Sequence, residues 1–191
     1  NEKLSLVMRL LLFLFFLSLF YSCETKDVEY AIVIHGGAGT ILKKNMSDEM
    51  ENAYIQKMEE AINAGYNILE KNGSSIDAVE ATIKILENSE LFNAGKGSVL
   101  SNAGIVEMDA SIMRGDNLNA GAISGVTTIK NPISAARLVM EKSEHVFLSG
   151  KGAESFAKYE NLEIVENEYF ITDRRLNSLR NTKKRDSLTD N

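Results

Sequence analysis

Apolar residues recur at helical spacing in two neighbouring stretches, from Met50 to Leu69 and from Ile76 to Leu86. Ser47 is followed by two acidic residues, which is typical of a helix N-terminus, and Ser75 opens the second stretch. The pair Asn72-Gly73 is typical of a helix end. The pattern therefore predicts two successive amphipathic helices that pack through their apolar faces.

Short extended runs surround these helices. Tyr30–Ile34 is rich in β-branched residues and stops at a glycine cluster, which predicts a buried strand that delivers the chain to a turn. After Asn93 the sequence changes to small residues and short apolar pieces. These pieces predict adjacent antiparallel strands over Gly97–Leu100, Ile105–Met113 and Ala120–Ile129, with a turn at residues 114–117.

The remaining sequence alternates between the two patterns. Asn131-Pro132 is typical of a helix start and predicts a helix to about Lys142. A buried strand over His145–Leu148, a helix over Ser149–Tyr159 and an extended segment over Leu162–Ile171 follow. Because helices flank strands on both sides of the sequence, the predicted fold class is α+β.

Composition and charge narrow the function classes. The chain has 191 residues, with 21 Lys and Arg against 27 Asp and Glu, so its net charge of −6 argues against a nucleic-acid partner. A single Cys excludes a disulfide framework and a cysteine-based metal cluster. The segment from Thr172 is rich in Arg and Lys, but Asp173 and Asp186 flank the basic residues and no aromatic residue interrupts them. A charged, solvated linker with one short helix followed by disorder is favoured over a nucleic-acid arm.

The N-terminal region has a separate pattern. Residues 10–20 form an apolar run behind Lys3 and Arg9 that is shorter than the ~20 residues of a membrane-spanning helix, so residues 1–22 are predicted to be a secretory signal peptide. Leu19–Cys23 is similar to a bacterial lipobox, which makes Cys23 a candidate lipidation site; an ordinary cleavable signal is the alternative. Residues 23–29 then form a polar tether. We expect an exported protein of the periplasm or envelope surface that touches the membrane only through a lipid anchor.

Two glycine-containing motifs are candidates for a functional site. His35–Gly39 directly follows the first predicted strand, where three glycines suit a close backbone approach, although the spacing is not that of a dinucleotide-binding loop. Leu86–Leu100 combines the end of the second helix with a glycine-rich loop, and Val106–Met113 is an apolar strand interrupted by acids. Together with Gly73–Ala81 and Asn131–Lys142, these motifs resemble the isoaspartyl peptidase and plant-type L-asparaginase family of N-terminal-nucleophile hydrolases, over residues 31–191.

The resemblance implies an αββα four-layer sandwich, made as a precursor that cuts itself into an α and a β subunit. The N-terminal Thr of the β subunit is the nucleophile of such enzymes, which hydrolyse isoaspartyl dipeptides and L-asparagine. This chain then corresponds to the α subunit, with residues 30–171 as its half of the domain and residues 172–191 as the linker before the cleavage site. The partner is the β subunit from the same precursor, and the assembly is an (αβ)₂ heterotetramer.

The site residues that the resemblance implies in this chain are supporting ones. No catalytic residue is expected here, and Thr189 lies in the linker rather than opening a Thr-X-Gly strand. Asn93 is expected beside the nucleophile, and Gly36 and Gly37 in a loop near the cleavage site. No cofactor is needed for chemistry, but a structural Na⁺ is implied. Its ligands are main-chain carbonyls, namely those of Leu86, Glu87, Ser89, Phe92, Ala94 and Lys96.

Two other functions remain open from the sequence. Glycosylasparaginase shares the fold and the nucleophile, and the residues that set specificity belong to the other half of the precursor. The second alternative is a truncated, non-catalytic lipoprotein that keeps the α-subunit layers as a scaffold.

Overall fold

The structure is a computed structural model that describes residues 30–38 and 46–189. The chain divides into two units, Asn1–Ala31 and Ile32–Asn191, and only the last two residues of the first unit are described. The predicted signal peptide, the tether and Cys23 therefore lie outside the described residues. Among the described residues, no helix is both long and apolar enough to cross a membrane.

Two successive helices form after the glycine turn, as predicted. Helix α1 spans Asp48–Glu70, and the Ser47 hydroxyl accepts the Met50 amide at 3.2 Å to cap it. The helix ends where Asn72 turns with φ +59°, as expected of the Asn-Gly pair. Helix α2 spans Ser75–Glu87, with Ser74 as its N-cap. The two helices pack along their length, which confirms the predicted helix pair.

A three-stranded sheet follows in the order β1-β2-β3. Strands β1 (Met108–Met113) and β2 (Ala120–Val126) are antiparallel, with an irregularity in register between Met108 and Ala110. Strand β3 (Phe147–Ser149) is parallel to β2. The predicted antiparallel pair is thus confirmed, with shorter strands than the apolar runs suggested.

Two helices cover one face of this sheet. Helix α3 spans Pro132–Lys142 and α4 spans Gly150–Tyr159, both as predicted. Helix α3 lies directly on β2, since a Cβ atom at Gly121 would stand 2.2 Å from the carbonyl oxygen of Ala136. The core between sheet and helices is apolar, and its fully buried members include Val106, Ile123, Val126, Ile129, Val139 and Phe170.

The opposite face of the sheet is open in the described chain. Along β1, Met108 and Ile112 are buried, whereas Asp109, Ser111 and Met113 are exposed. This alternation is that of a sheet covered on one side only. The chain is therefore a mixed α/β structure, as predicted, with one helix-covered and one uncovered sheet face.

Two predicted strands are wrong, and one predicted extended segment is only partly extended. Tyr30–Ile34 forms no strand, because a strand requires a hydrogen-bonded neighbour and no described strand pairs with it. Gly97–Leu100 contributes only one bridge, between Leu100 and Val106. Leu162–Ile171 likewise forms one bridge, between Ile129 and Ile164, and then a 3₁₀ turn over Asn167–Phe170.

Two further expectations need correction. The strand predicted over His145–Leu148 is β3, displaced to Phe147–Ser149, and it is an exposed edge rather than buried, with Phe147 52% exposed. After Thr172 the chain forms helix α5, Asp173–Thr189, where a short helix and disorder were expected. The first turn of α5 is hydrogen-bonded to the rest of the fold through Arg174 and Arg175.

Candidate active site

A cleft of about 760 Å³ lies between five segments of the second unit. These are the glycine turn after Ile34, the start of α1, the end of α2, the loop that follows α2, and the first turn of α5. The cleft brings together Gly36, Gly37 and Asn93, which are the supporting residues expected from the sequence. Its described lining includes Arg174 and Arg175, and an adjoining pocket that shares Gly36 and Gly37 is also lined by Glu51.

The glycine turn has little room for a side chain at Gly36, whereas the space around Gly37 is open. Gly37 adopts φ +107°, and its amide donates to Nδ1 of His35 at 3.2 Å. A Cβ atom at Gly36 would stand 3.1 Å from the sulfur of Met58 and 3.3 Å from the ring of Phe92. The main chain of the turn can therefore lie close to the loop after α2, as predicted for a close backbone approach.

The loop of residues 88–97 curls back onto the end of α2. The Lys96 amide donates to the carbonyl of Glu87 at 2.7 Å. Gly95 makes this closure possible, because its φ is +53° and a Cβ atom there would stand 2.2 Å from the Glu87 carbonyl oxygen. Asn93 lies on the exposed part of the loop, where its Oδ1 accepts the Val99 amide at 2.8 Å. This bond fixes the orientation of the Asn93 amide at the cleft wall.

The carbonyls of the predicted sodium ligands differ in their hydrogen bonding. Those of Leu86 and Glu87 accept amides within the loop. Those of Ser89, Phe92, Ala94 and Lys96 accept none from the described residues. No group of three or more His, Cys, Asp or Glu side chains able to hold a metal exists in the described ranges. Main-chain carbonyl oxygens without an amide partner are the type of ligand that a hard monovalent ion takes.

The side chain of Glu87 has a role that the sequence did not reveal. Its carboxylate accepts the Ile133 amide at 2.9 Å and the Asn131 side-chain amide at 3.0 Å, so it caps the N-terminus of α3 from another element. Only 3% of the residue is exposed, and this burial raises its pKa to about 7. The sequence signal for this role was an acidic residue directly after Leu86, at the end of the apolar face of α2. The structure adds that the side chain of Asn131, the N-cap residue of α3, makes no capping hydrogen bond.

The first turn of α5 is the second feature that sequence reasoning missed. Arg174 and Arg175 donate to main-chain carbonyls of the loop after α2, so the start of the predicted solvated linker belongs to the cleft wall. Thr189 is the last residue of α5, and its side chain lies outside the described part of the structure.

The described structure therefore unites two separate sequence motifs in one cleft. Comparison with known proteins agrees with the resemblance that those motifs carry. The profile of a family described as "Asparaginase" matches residues 28–191.

Similar proteins are named as isoaspartyl peptidases or L-asparaginases. The chain is 48% identical over 157 residues to a putative isoaspartyl peptidase/L-asparaginase of Dictyostelium discoideum, covering 82% of this chain and 45% of that protein. It is 47% identical over 159 residues to a probable isoaspartyl peptidase/L-asparaginase 2 of Arabidopsis thaliana, covering 83% and 48%. It is 53% identical over 128 residues to a plant-type L-asparaginase of Pyrococcus furiosus, covering 67% and 40%.

The chain thus spans about half the length of the relatives it matches. The family profile, in contrast, covers nearly all of the chain, from residue 28 to its last residue. The chain therefore belongs to the asparaginase family, as its motifs predicted.

Proposed function

We propose that this chain is one half of an amidohydrolase that acts on isoaspartyl dipeptides and L-asparagine. The observation that carries the proposal is the cleft in which the glycine turn and the Asn93 loop face each other beside two guanidinium groups. A carboxylate-bearing amide suits that electrostatic environment. The names of the similar proteins, isoaspartyl peptidase/L-asparaginase, support the same reaction.

The second half of the protein supplies the missing strands in this proposal. Ile32 and Ile34 are half-buried while Val33 is 91% exposed, which is the alternation of a strand without a neighbour. The uncovered face of the sheet offers a surface for a second sheet. A complete αββα four-layer sandwich would cover both features, and two αβ units would then pair as an (αβ)₂ heterotetramer.

The proposed nucleophile is a Thr at the start of a β subunit released by self-cleavage. Its α-amino group, with an unperturbed pKa near ~8, accepts the hydroxyl proton. The Oγ atom forms an ester with the side-chain acyl carbon, and ammonia or the dipeptide's amine leaves with that proton. Water then hydrolyses the ester, which releases aspartate and restores the Thr hydroxyl.

This chain's contribution is to position that centre. Asn93 uses its Oδ1 to bind Val99, so its amide nitrogen remains a donor on the cleft wall. The Gly36-Gly37 turn supplies main-chain groups on the opposite side. Structural Na⁺ held by the carbonyls of residues 86–96 would stabilise the curl of the loop and take no part in the chemistry. The proposal also includes export of the protein and its attachment to the membrane through a lipid on Cys23.

The test uses the complete protein encoded by the gene. We expect mass spectrometry to find two chains, the second beginning with Thr, and we expect ammonia from L-asparagine and free amino acid from an isoaspartyl dipeptide. Asn93→Ala should lower kcat, whereas the matched control Asn117→Ala, in the β1–β2 turn, should not. Faster hydrolysis of glycosylated asparagine would favour glycosylasparaginase, and an uncleaved, inactive protein would favour the scaffold.

A further inference from the structure

Arg174 holds the first part of the loop of residues 88–97. One terminal nitrogen donates to the hydroxyl of Tyr54 at 2.9 Å, and the other donates to the carbonyls of Glu90 and Leu91 at 2.8 and 2.9 Å. Tyr54 in turn donates to the Leu91 carbonyl at 2.8 Å. Helix α1, the loop and α5 are therefore joined at one guanidinium group.

Arg175 holds the other end of the same loop. Its Nε donates to the Gly97 carbonyl at 2.6 Å, while the Gly97 amide donates to the carbonyl of Phe170, just before α5. The loop is thus tied to the α5 segment on both sides of Asn93. We propose that Arg174 and Arg175 are positioning residues that fix this loop, and with it Asn93, on the wall of the cleft.

The charges of the two side chains support a positioning role. Neither guanidinium has a carboxylate partner within salt-bridge distance among the described residues, in contrast to Arg137 on α3, which pairs with three acids. Burial and the charge of Arg174 lower the pKa of Arg175. The hydrogen bonds from these groups to main-chain oxygens are charge-assisted. A side chain that only solvated a linker would not be held in this way.

A lysine could replace the hydrogen bond of Arg175 to the loop but not those of Arg174. Arg174 reaches three oxygens in different directions through a planar fork, which a single ammonium on a flexible stem cannot reproduce. Arg175 makes one bond to the loop, to the carbonyl of Gly97, and one ammonium can restore it. Lysine should therefore rescue position 175 and fail at position 174.

The experiment follows the amide of Val99, which reports directly on Asn93 because it donates to the Asn93 side chain. Hydrogen exchange resolved to this amide is measured in the complete protein for Ala and Lys variants of Arg174 and Arg175. Arg180→Ala is the matched control, since Arg180 lies on the same helix and, among the described residues, its guanidinium donates to the side chain of Asn177 alone. Thermal melting and kcat for an isoaspartyl dipeptide are recorded alongside.

We expect Val99 exchange to rise about tenfold or more in both Ala variants, the size of effect that one charge-assisted hydrogen bond has on a local opening equilibrium. Arg175→Lys should return to within about twofold of wild type, and Arg174→Lys should not. The melting temperature should change little, and Arg180→Ala should match wild type. If an Ala variant fails to fold, the Lys pair and Tyr54→Phe, which removes one link at Arg174, still test the proposal.

The consequence for catalysis rests on the proposed function, and we expect kcat to fall in the variants whose Val99 exchange rises. Unchanged Val99 exchange in the folded Ala variants, or full recovery with Arg174→Lys, would overturn the positioning role. A wild-type protein that hydrolyses no amide substrate would instead refute the proposed function and leave the exchange result to decide the positioning role.

Discussion

Replacing Glu87 by glutamine should make the protein more stable than wild type at alkaline pH and not at acidic pH. The carboxyl group is buried at the N-terminus of α3 and has a pKa of about 7, against 4.5 for an ordinary glutamate. Glutamine keeps an oxygen for the Ile133 amide and removes the titration. Its amide nitrogen can donate to Asn131 once the Asn131 amide rotates by half a turn.

The sign and size of the effect follow from proton linkage. Below pH 4.5 the carboxyl is protonated in the folded and unfolded chains, so it imposes no pH-dependent cost. As the pH rises, the unfolded chain releases the proton first, and the free energy of unfolding falls until the folded group ionises near pH 7. Each pH unit in that window corresponds to ~1.4 kcal/mol, so the total loss is about 3 kcal/mol.

The assay is urea denaturation of wild type and Glu87→Gln at pH 5 and pH 8, at one protein concentration because assembly contributes to stability. The stability difference between the two proteins should move by about 2 to 3 kcal/mol in favour of the variant at pH 8.

Glu154→Gln is the control whose stability difference from wild type should stay nearly constant between pH 5 and pH 8, because its pH dependence lies below pH 4.5. Burial would raise the pKa of Glu154, but hydrogen bonds from Thr127 and Thr128 outweigh it and lower the pKa, so its contribution is present at neutral pH and lost on acidification. A difference between wild type and Glu87→Gln that stays constant from pH 5 to pH 8 would refute the reasoning.

Three further predictions concern packing, the loop and the anchor. Gly121→Ala should lower the melting temperature by several degrees, because the new Cβ meets the backbone of α3, whereas Gly115→Ala, with open space around it, should not. Gly95→Val should abolish loop closure and slow dipeptide hydrolysis, while Ser89→Ala should slow hydrolysis only slightly. The carbonyl cage would be contradicted by equal hydrolysis rates in Na⁺ and in a large organic cation, or by a larger loss of rate in Ser89→Ala than in Gly95→Val. Cys23→Ser should release the protein from the membrane fraction, and identical partitioning of wild type and variant would refute lipidation.

The sequence by itself determined the elements whose signals are local. The Ser47 cap and the Asn72 turn set the ends of α1, and Pro132 set the start of α3, because capping side chains and fixed φ values act within a few residues. The motif spacing also sufficed for the family. Glycines 36 and 37 and Asn93 were identified as supporting residues from resemblance, before any geometry placed them in one cleft.

The tertiary structure decided everything that depends on a distant partner. Tyr30–Ile34 has the composition of a strand but no described neighbour, and β3 has an apolar sequence but lies at an exposed edge. From its sequence neighbours, Glu87 is simply the last residue of α2. Contact with Ile133, 46 residues away, makes it a helix cap, and its burial there raises its pKa. Arg174 reads as part of a charged linker until the fold sets it against carbonyls 83 and 84 residues earlier. Such contacts leave no periodicity in the sequence, because a hydrogen bond between distant segments requires only that the fold bring one donor to one acceptor.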